Sequence, residues 1–459
     1  MPFALLLVIL RVGQRLPSPP APRGFAQTVT GHDSAGGLSY LALLMAQIVL
    51  IILLSRAVGS LIERIRQPRV IGEVLAGILL GPSFLGWFAP GLSAFLFPPS
   101  SLGVLNALSQ LGLVLFMFMV GLELNMKELQ RQGHVAVLIS HAGITAPMAL
   151  GAALALYLYP RVSDSGVGFA GFALFMGVAM SITAFPVLAR ILGERKLSRT
   201  RMGTTAIACA AVDDVTGWCV LAAVVALVRA SQSSLPVWVT VAGLAVFLAT
   251  MFWAGRPILR GIERAYLAQG ELSDNRKAQL LMFVLACALI TEALGLHLLF
   301  GAFVAGTMIP RERGLISYVI EKFESLTVLL LLPLFFAFTG LRTSIGQIRG
   351  AGMWGTCLLI IAVAVAGKLG GTSIAARLGG LTWRDSLALG SLMNTRGLME
   401  LIVLNIGLDI KIISHELFSM MIVMAIVTTM MAPPLLEWVH SEKVKDPRGQ
   451  AGVKSGVRS

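Results

Sequence analysis

Residues 202–228 read MGTTAIACAAVDDVTGWCVLAAVVALV, an apolar run broken by two adjacent carboxylates, Asp213 and Asp214. About 20 apolar residues span the hydrocarbon layer as one helix, so this run crosses a membrane with its acids near mid-depth. A charged side chain there is costly and needs a purpose. Two adjacent acids are an expensive way to hold helices together, because they repel each other. A buried carboxyl flanked by a second acid is instead suited to carrying a proton. Once deprotonated, the same oxygen is a hard ligand for a desolvated alkali cation. A site that holds a proton or a cation, never both, couples their two movements by competition.

The preceding span, 167–192, contains SITAFP at residues 181–186. Pro186 lacks an N–H and clashes with the carbonyl four residues back, at Ile182. The helix is therefore expected to open there. The carbonyls of Ile182 and Thr183 and the hydroxyls of Ser181 and Thr183 become candidate oxygen ligands. Such backbone is tolerated at membrane depth only inside protein or beside a cavity. A second interruption, LGSLMNTRGLME at 389–400, groups Asn394, Thr395, Arg396 and Gly397 in an apolar stretch and follows them with Glu400. Two broken helices in corresponding halves mark an inverted-repeat transporter whose site lies where they cross. Lys368, in IIAVAVAGKLG at 360–370, either reaches an interface or pairs with Asp213 or Asp214.

The rest of the chain is consistent with this setting. Of its 459 residues, 56% are hydrophobic and only 13% charged, where a soluble domain carries about a quarter charged. About thirteen candidate spans can be counted, near 38–55, 70–88, 104–122, 135–159, 167–192, 202–228, 237–254, 278–294, 298–309, 323–341, 354–370, 386–406 and 417–439. The fold class is thus an all-α membrane protein. The net charge of +13 is read as Lys and Arg concentrated in alternate loops, not as a nucleic-acid surface. Those loops hold Arg56, Arg64, Arg66 and Arg69; Lys127 and Arg131; Arg195, Lys196, Arg199 and Arg201; Arg256 to Lys277; Arg311 and Arg313; Arg377 and Arg384; and the tail from Lys443. The positive-inside bias puts the C-terminus in the cytoplasm and the N-terminus outside.

Residues 1–33 read as a separate extension, either a weak signal peptide or a mis-assigned start, 34–440 as the transport unit and 441–459 as a short basic tail. Cys209, Cys219, Cys287 and Cys357 lie in apolar runs without metal-ligand spacing and read as packing residues. No cofactor motif and no structural metal site is expected. Glu123, closing FMFMVGLELN at 116–125, is a funnel carboxylate or a boundary residue. Arg342, after FFAFTGL, is an interface anchor or a gate. Glu292 and His297 flank a tight turn and are expected to be structural.

Together these stretches resemble the second monovalent cation:proton antiporter family, which includes glutathione-gated potassium efflux systems and plant and fungal cation/proton exchangers. The matching segments are QPRVIGEVLAGILLGP at 67–82, VGLEL at 120–124, SITAFP, Asp213-Asp214, TEALGLHLLFGAFVAG at 291–306 and 394–408. They cover nearly the whole transport unit. The resemblance implies a sodium/proton-antiporter-like fold with crossed broken helices, assembled as a homodimer in which a core bundle moves like an elevator against a scaffold. It implies that Asp214 binds Na⁺ or K⁺ and H⁺ in turn, and that Lys368 faces the acidic pair. One departure matters: the exchanger branch carries Asn-Asp where this chain has Asp213-Asp214, a pair typical of electrogenic sodium antiporters. The competing class is a gated potassium pathway or channel without strict proton coupling. An intramembrane aspartyl protease fits poorly, since neighbouring helical residues point about 100° apart and these acids cannot face each other as a dyad.

Overall fold

The structure, a computed structural model, describes residues 40–440 apart from 66, 124–133, 164–165, 196, 198–199 and 233–236. The N-terminal extension, the tail, Arg66, Lys127, Arg131, Lys196 and Arg199 lie outside the described residues. In lipid every backbone N–H and C=O must be satisfied within the protein, and the apolar runs accordingly form helices. They are α1 (Tyr40–Arg64), α2 (Arg69–Leu80), α3 (Pro99–Glu123), α4 (His134–Val162), α5 (Phe169–Ser181), α6 (Phe185–Glu194), α7 (Arg201–Gln232), α8 (Val237–Thr250) and α9 (Arg256–Gln269). They continue with α10 (Asp274–Ala293), α11 (Leu298–Met308), α12 (Arg313–Leu326), α13 (Leu332–Leu341), α14 (Gly350–Val365), α15 (Gly371–Leu378), α16 (Trp383–Met393), α17 (Leu398–Asp409) and α18 (His415–His440).

Among the described residues nine helices are long and apolar enough to cross a membrane, and the bent pair α16–α17 makes ten. The count of thirteen is not confirmed. The other three expected spans are helical but fall short of that measure: the interrupted α5–α6, the polar-ended α10 and the short α11.

Two packing groups are evident. Helices α4–α7 and α14–α18 pack chiefly among themselves, as do α1–α3 and α10–α13. Small residues set the second group. A Cβ on Gly340 of α13 would lie 2.2 Å from the backbone of Gly77 in α2, and one on Gly306 of α11 would lie 2.2 Å from the carbonyl of Phe118 in α3. Only glycine allows these backbones to approach so closely.

The first group holds both interruptions. α5 stops at Ser181, Ile182 and Ala184 are extended, and α6 begins at Phe185 with Pro186 in its first turn. The break falls where Pro186 placed it. The proline's missing N–H then does no harm, because the first helical N–H groups have no intrahelical partner anyway. The second break, 394–397, bends α16 against α17 by 45°. The breaks touch: Ala184 N donates to Thr395 O at 3.0 Å, and Thr183 Oγ1 lies 3.2 Å from Met393 O. Beyond α14, Ala366–Gly370 forms one π-helical turn that carries Lys368, a local irregularity common at functional positions.

Glu292 and His297 are structural as expected: Glu292 Oε2 accepts from Leu298 N at 3.0 Å, and His297 Nδ1 from Leu299 N. Among the described residues all four cysteines are free thiols.

Candidate functional site

The crossing brings α4, α5, α7, the π turn and α16 together around one ion pair. Lys368 Nζ donates to Asp213 Oδ2 at 2.7 Å, and neither side chain has any exposed surface. Lys368 therefore pairs and does not reach an interface. Its other two donors go to Ser181 O at 2.6 Å and Gly143 O at 2.9 Å. All three ammonium hydrogens are thus used, which is the condition under which a buried charge is tolerable. Asp213 is equally committed. Thr183 Oγ1 donates to its Oδ2 at 2.8 Å, and Ser140 Oγ to its Oδ1 at 2.5 Å.

Asp214 is different. It is buried with 4% of its surface exposed, and its Oδ1 has no hydrogen-bond partner among the described residues. The helical rotation of about 100° per residue forces this asymmetry: when Asp213 faces Lys368, its neighbour cannot. One carboxylate is spent on structure, and the other keeps a buried, uncommitted oxygen.

A second buried ion pair lies in the break 394–397. Arg396 Nη1 donates to Glu400 Oε2 at 2.7 Å and to Ala179 O at 2.9 Å, and Nη2 donates to Met180 O at 2.6 Å. The last carbonyls of a helix lack intrahelical partners and form the negative end of its dipole. At the end of α5, the carbonyls of Ala179, Met180 and Ser181 all receive cationic donors, two from Arg396 and one from Lys368. Glu400 occupies the first turn of α17, where the dipole favours an acid. At the end of α16 the donors among the described residues are neutral: Thr395 Oγ1 bonds Leu392 O at 2.7 Å, and Thr183 Oγ1 lies 3.2 Å from Met393 O.

Most of the residues singled out in the sequence converge here, although some play different parts. Ser181 supplies its carbonyl, while its hydroxyl turns back to Val178 O at 2.9 Å. Ile182 forms the extended link itself. Asn394 is fully buried, and neither amide atom has a partner among the described residues. Glu123 ends α3 with its side chain exposed, next to a turn capped by Arg311, which donates to the carbonyls of Leu122 and Gly121. Arg342 is neither at the site nor a simple lipid anchor; it bonds Asn405 and Asp409.

Sequence reading missed Ser140, the Gly143 carbonyl and Thr429. Thr429 Oγ1 lies 2.9 Å from Arg396 N and 2.6 Å from Arg396 O. A lone hydroxyl in an apolar span carries no signal, and a glycine carbonyl none at all.

A cavity of about 240 Å³ separates the two packing groups at the end of the bundle that holds Arg69. Arg56, Arg69, Glu73 and Phe116 line it on one side, and Ala184 and Leu398 on the other. It thus reaches both breaks. Arg56, assigned to a loop from sequence, lies within α1, eight residues before the helix end at Arg64.

Crossed, interrupted helices with buried charges at their midpoints define an inverted-repeat secondary transporter. The chain belongs to the sodium/hydrogen exchanger family, whose transmembrane-domain model matches residues 49–441. Over 401 residues it is 41% identical to the Na(+)/H(+) antiporter NhaS4 of Synechocystis sp., covering 87% of this chain and 98% of that protein. It is 44% identical over 401 residues to Cation/H(+) antiporter 18 of Arabidopsis thaliana, covering 87% of this chain; it spans about half of that relative, 49%. The fold is shared with the sodium proton antiporter MjNhaP1 from Methanocaldococcus jannaschii, at a TM-score of 0.60 and 14% identity, over 88% of this chain and 99% of that one.

Proposed function

We propose that this protein exchanges protons for Na⁺ or K⁺, and that the two compete for the Asp214 carboxylate. The observation that carries the reading is the division of labour in the acidic pair. Asp213 is saturated by Lys368, Thr183 and Ser140, whereas Asp214 retains a buried oxygen with no partner among the described residues. A buried carboxylate left charged without a counter-ion is strongly disfavoured. Asp214 therefore binds either a proton or an alkali cation when it is shut away from water. Protonation removes the ligand, and cation binding removes the need for the proton. Oxygens of the two breaks complete the cation's shell.

With Asp213 held by Lys368 throughout, one carboxylate cycles, so one proton exchanges for one monovalent cation and no net charge crosses. The basic ends of the helices face the cytoplasm of a bacterial-type inner membrane, which makes the 240 Å³ cavity the cytoplasmic approach. Helices α4–α7 and α14–α18 form the moving core. The remainder forms the scaffold of a homodimer, and an elevator-like shift of the core carries Asp214 between faces.

The test is pure protein in liposomes with a proton-sensitive dye, given Na⁺, K⁺ or Li⁺ at several imposed voltages. Wild-type exchange should be insensitive to voltage, and Asp214→Asn should abolish it. Cation-dependent proton flux at the normal rate in Asp214→Asn would end this reading.

A further inference from the structure

The two ends of the bundle differ in a way the exchange site does not explain. At the Arg69 end the packing groups are parted by the cavity whose wall includes Leu398, the first residue of α17, and a single neutral side-chain bond crosses there among the described residues, from Gln67 Nε2 to Met430 O at 3.3 Å. At the opposite end, where Ser83 Oγ donates to Thr343 O at 2.7 Å, the same groups are tied by side chains. Arg342, capping α13, donates from Nη2 to Asp409 Oδ1 at 2.7 Å and from Nη1 to Asn405 Oδ1 at 3.1 Å. Asn405 Nδ2 returns to α13 through Thr339 Oγ1 at 2.9 Å. Ser344 N adds a bond to Ser419 Oγ of α18 at 3.0 Å. α17 has 12 residues, about 18 Å of helix at 1.5 Å per residue. One half-helix therefore runs from the wall of the cavity to this cluster.

The cluster is built for a state in which α13 and α17 are together. Asp409 is the last residue of α17, at the negative end of its dipole, where an acid is unfavourable and a guanidinium opposite it offsets the loss. Asn405 is 3% exposed, and drawing α17 away would cost its amide the bonds to Thr339 and Arg342, leaving Nδ2 the Leu401 carbonyl of its own helix at 2.9 Å. Thr339 is fully buried and would lose the same bond. Lipid anchoring needs none of this, since an anchoring arginine requires no carboxylate from the facing helix group.

We propose that Arg342, Asn405 and Asp409 form a latch that closes the site to the Ser83 face. In that role they are positioning residues for exchange: the latch releases when the core shifts and re-forms when it returns. The inference rests on the exchange reading above, and its test reads conformation separately from transport. In the full-length protein, hydrogen–deuterium exchange is followed at residues 332–345 and 398–413 in wild type, Asp409→Asn and the charge swap Arg342→Asp with Asp409→Arg. Apparent cation affinity is measured from each face of sidedness-sorted liposomes.

Asp409→Asn should raise exchange in both segments. It should also strengthen apparent affinity from the Ser83 face relative to that from the Arg69 face, the ratio of the two moving on the order of threefold, as expected on losing a partly exposed ion pair. The swap should return both readouts toward wild type. Unchanged affinities in Asp409→Asn, or a well-folded swap that restores neither readout, would overturn the latch. Asp214→Asn provides the separation: it should leave hydrogen exchange in these segments as in wild type, and persistent transport in that variant would defeat the exchange reading alone.

Discussion

Replacing Lys368 by alanine removes three donors at once. Asp213 is left with two hydroxyls, Ser140 and Thr183, and Gly143 O and Ser181 O lose their partner. A carboxylate stranded in this fully buried position is an uncompensated charge, and removing one partner of a buried pair costs roughly 3–5 kcal/mol. The variant should therefore lie far below wild type in thermal midpoint, measured by tryptophan fluorescence in detergent. Adding Asp213→Asn removes the stranded charge and should recover part of that loss, leaving the deficit of the orphaned carbonyls. A Lys368→Ala protein that melts like wild type would show that the pair does not hold the crossing together.

Two further outcomes are expected. Ser140→Ala should weaken the hold on Asp213 by about 1.5–3 kcal/mol, the worth of a hydrogen bond to a charged group, seen as a lower midpoint with exchange retained; an unchanged midpoint would place Ser140 outside the network. Arg396→Ala leaves Glu400 and the carbonyls of Ala179 and Met180 without their cation and should yield little folded protein, while adding Glu400→Gln should recover part of it; equal yields from the single and double variants would deny that a stranded charge causes the loss.

What the sequence determined by itself was whatever follows from local pattern. Helical spans are legible because lipid obliges each apolar run to satisfy its own backbone. The break at 182–184 is legible because Pro186 forbids a continuous helix, and the break at 394–397 because polar and flexible residues interrupt an apolar stretch. The need for a function at Asp213 and Asp214 is legible because unexplained charge does not persist at mid-bilayer. The tertiary structure decided which groups meet. It assigned Lys368 to Asp213 and left Asp214 free, a choice fixed by the rotation of α7 against the π turn, which no linear pattern encodes. It revealed Arg396 as the cap on α5, 217 residues away from Ala179 in sequence, and it paired Arg342, read from sequence as an interface anchor or a gate, with Asp409. Composition and spacing report what each segment can tolerate; pairing between distant segments depends on their relative placement, and that exists only once the chain has packed.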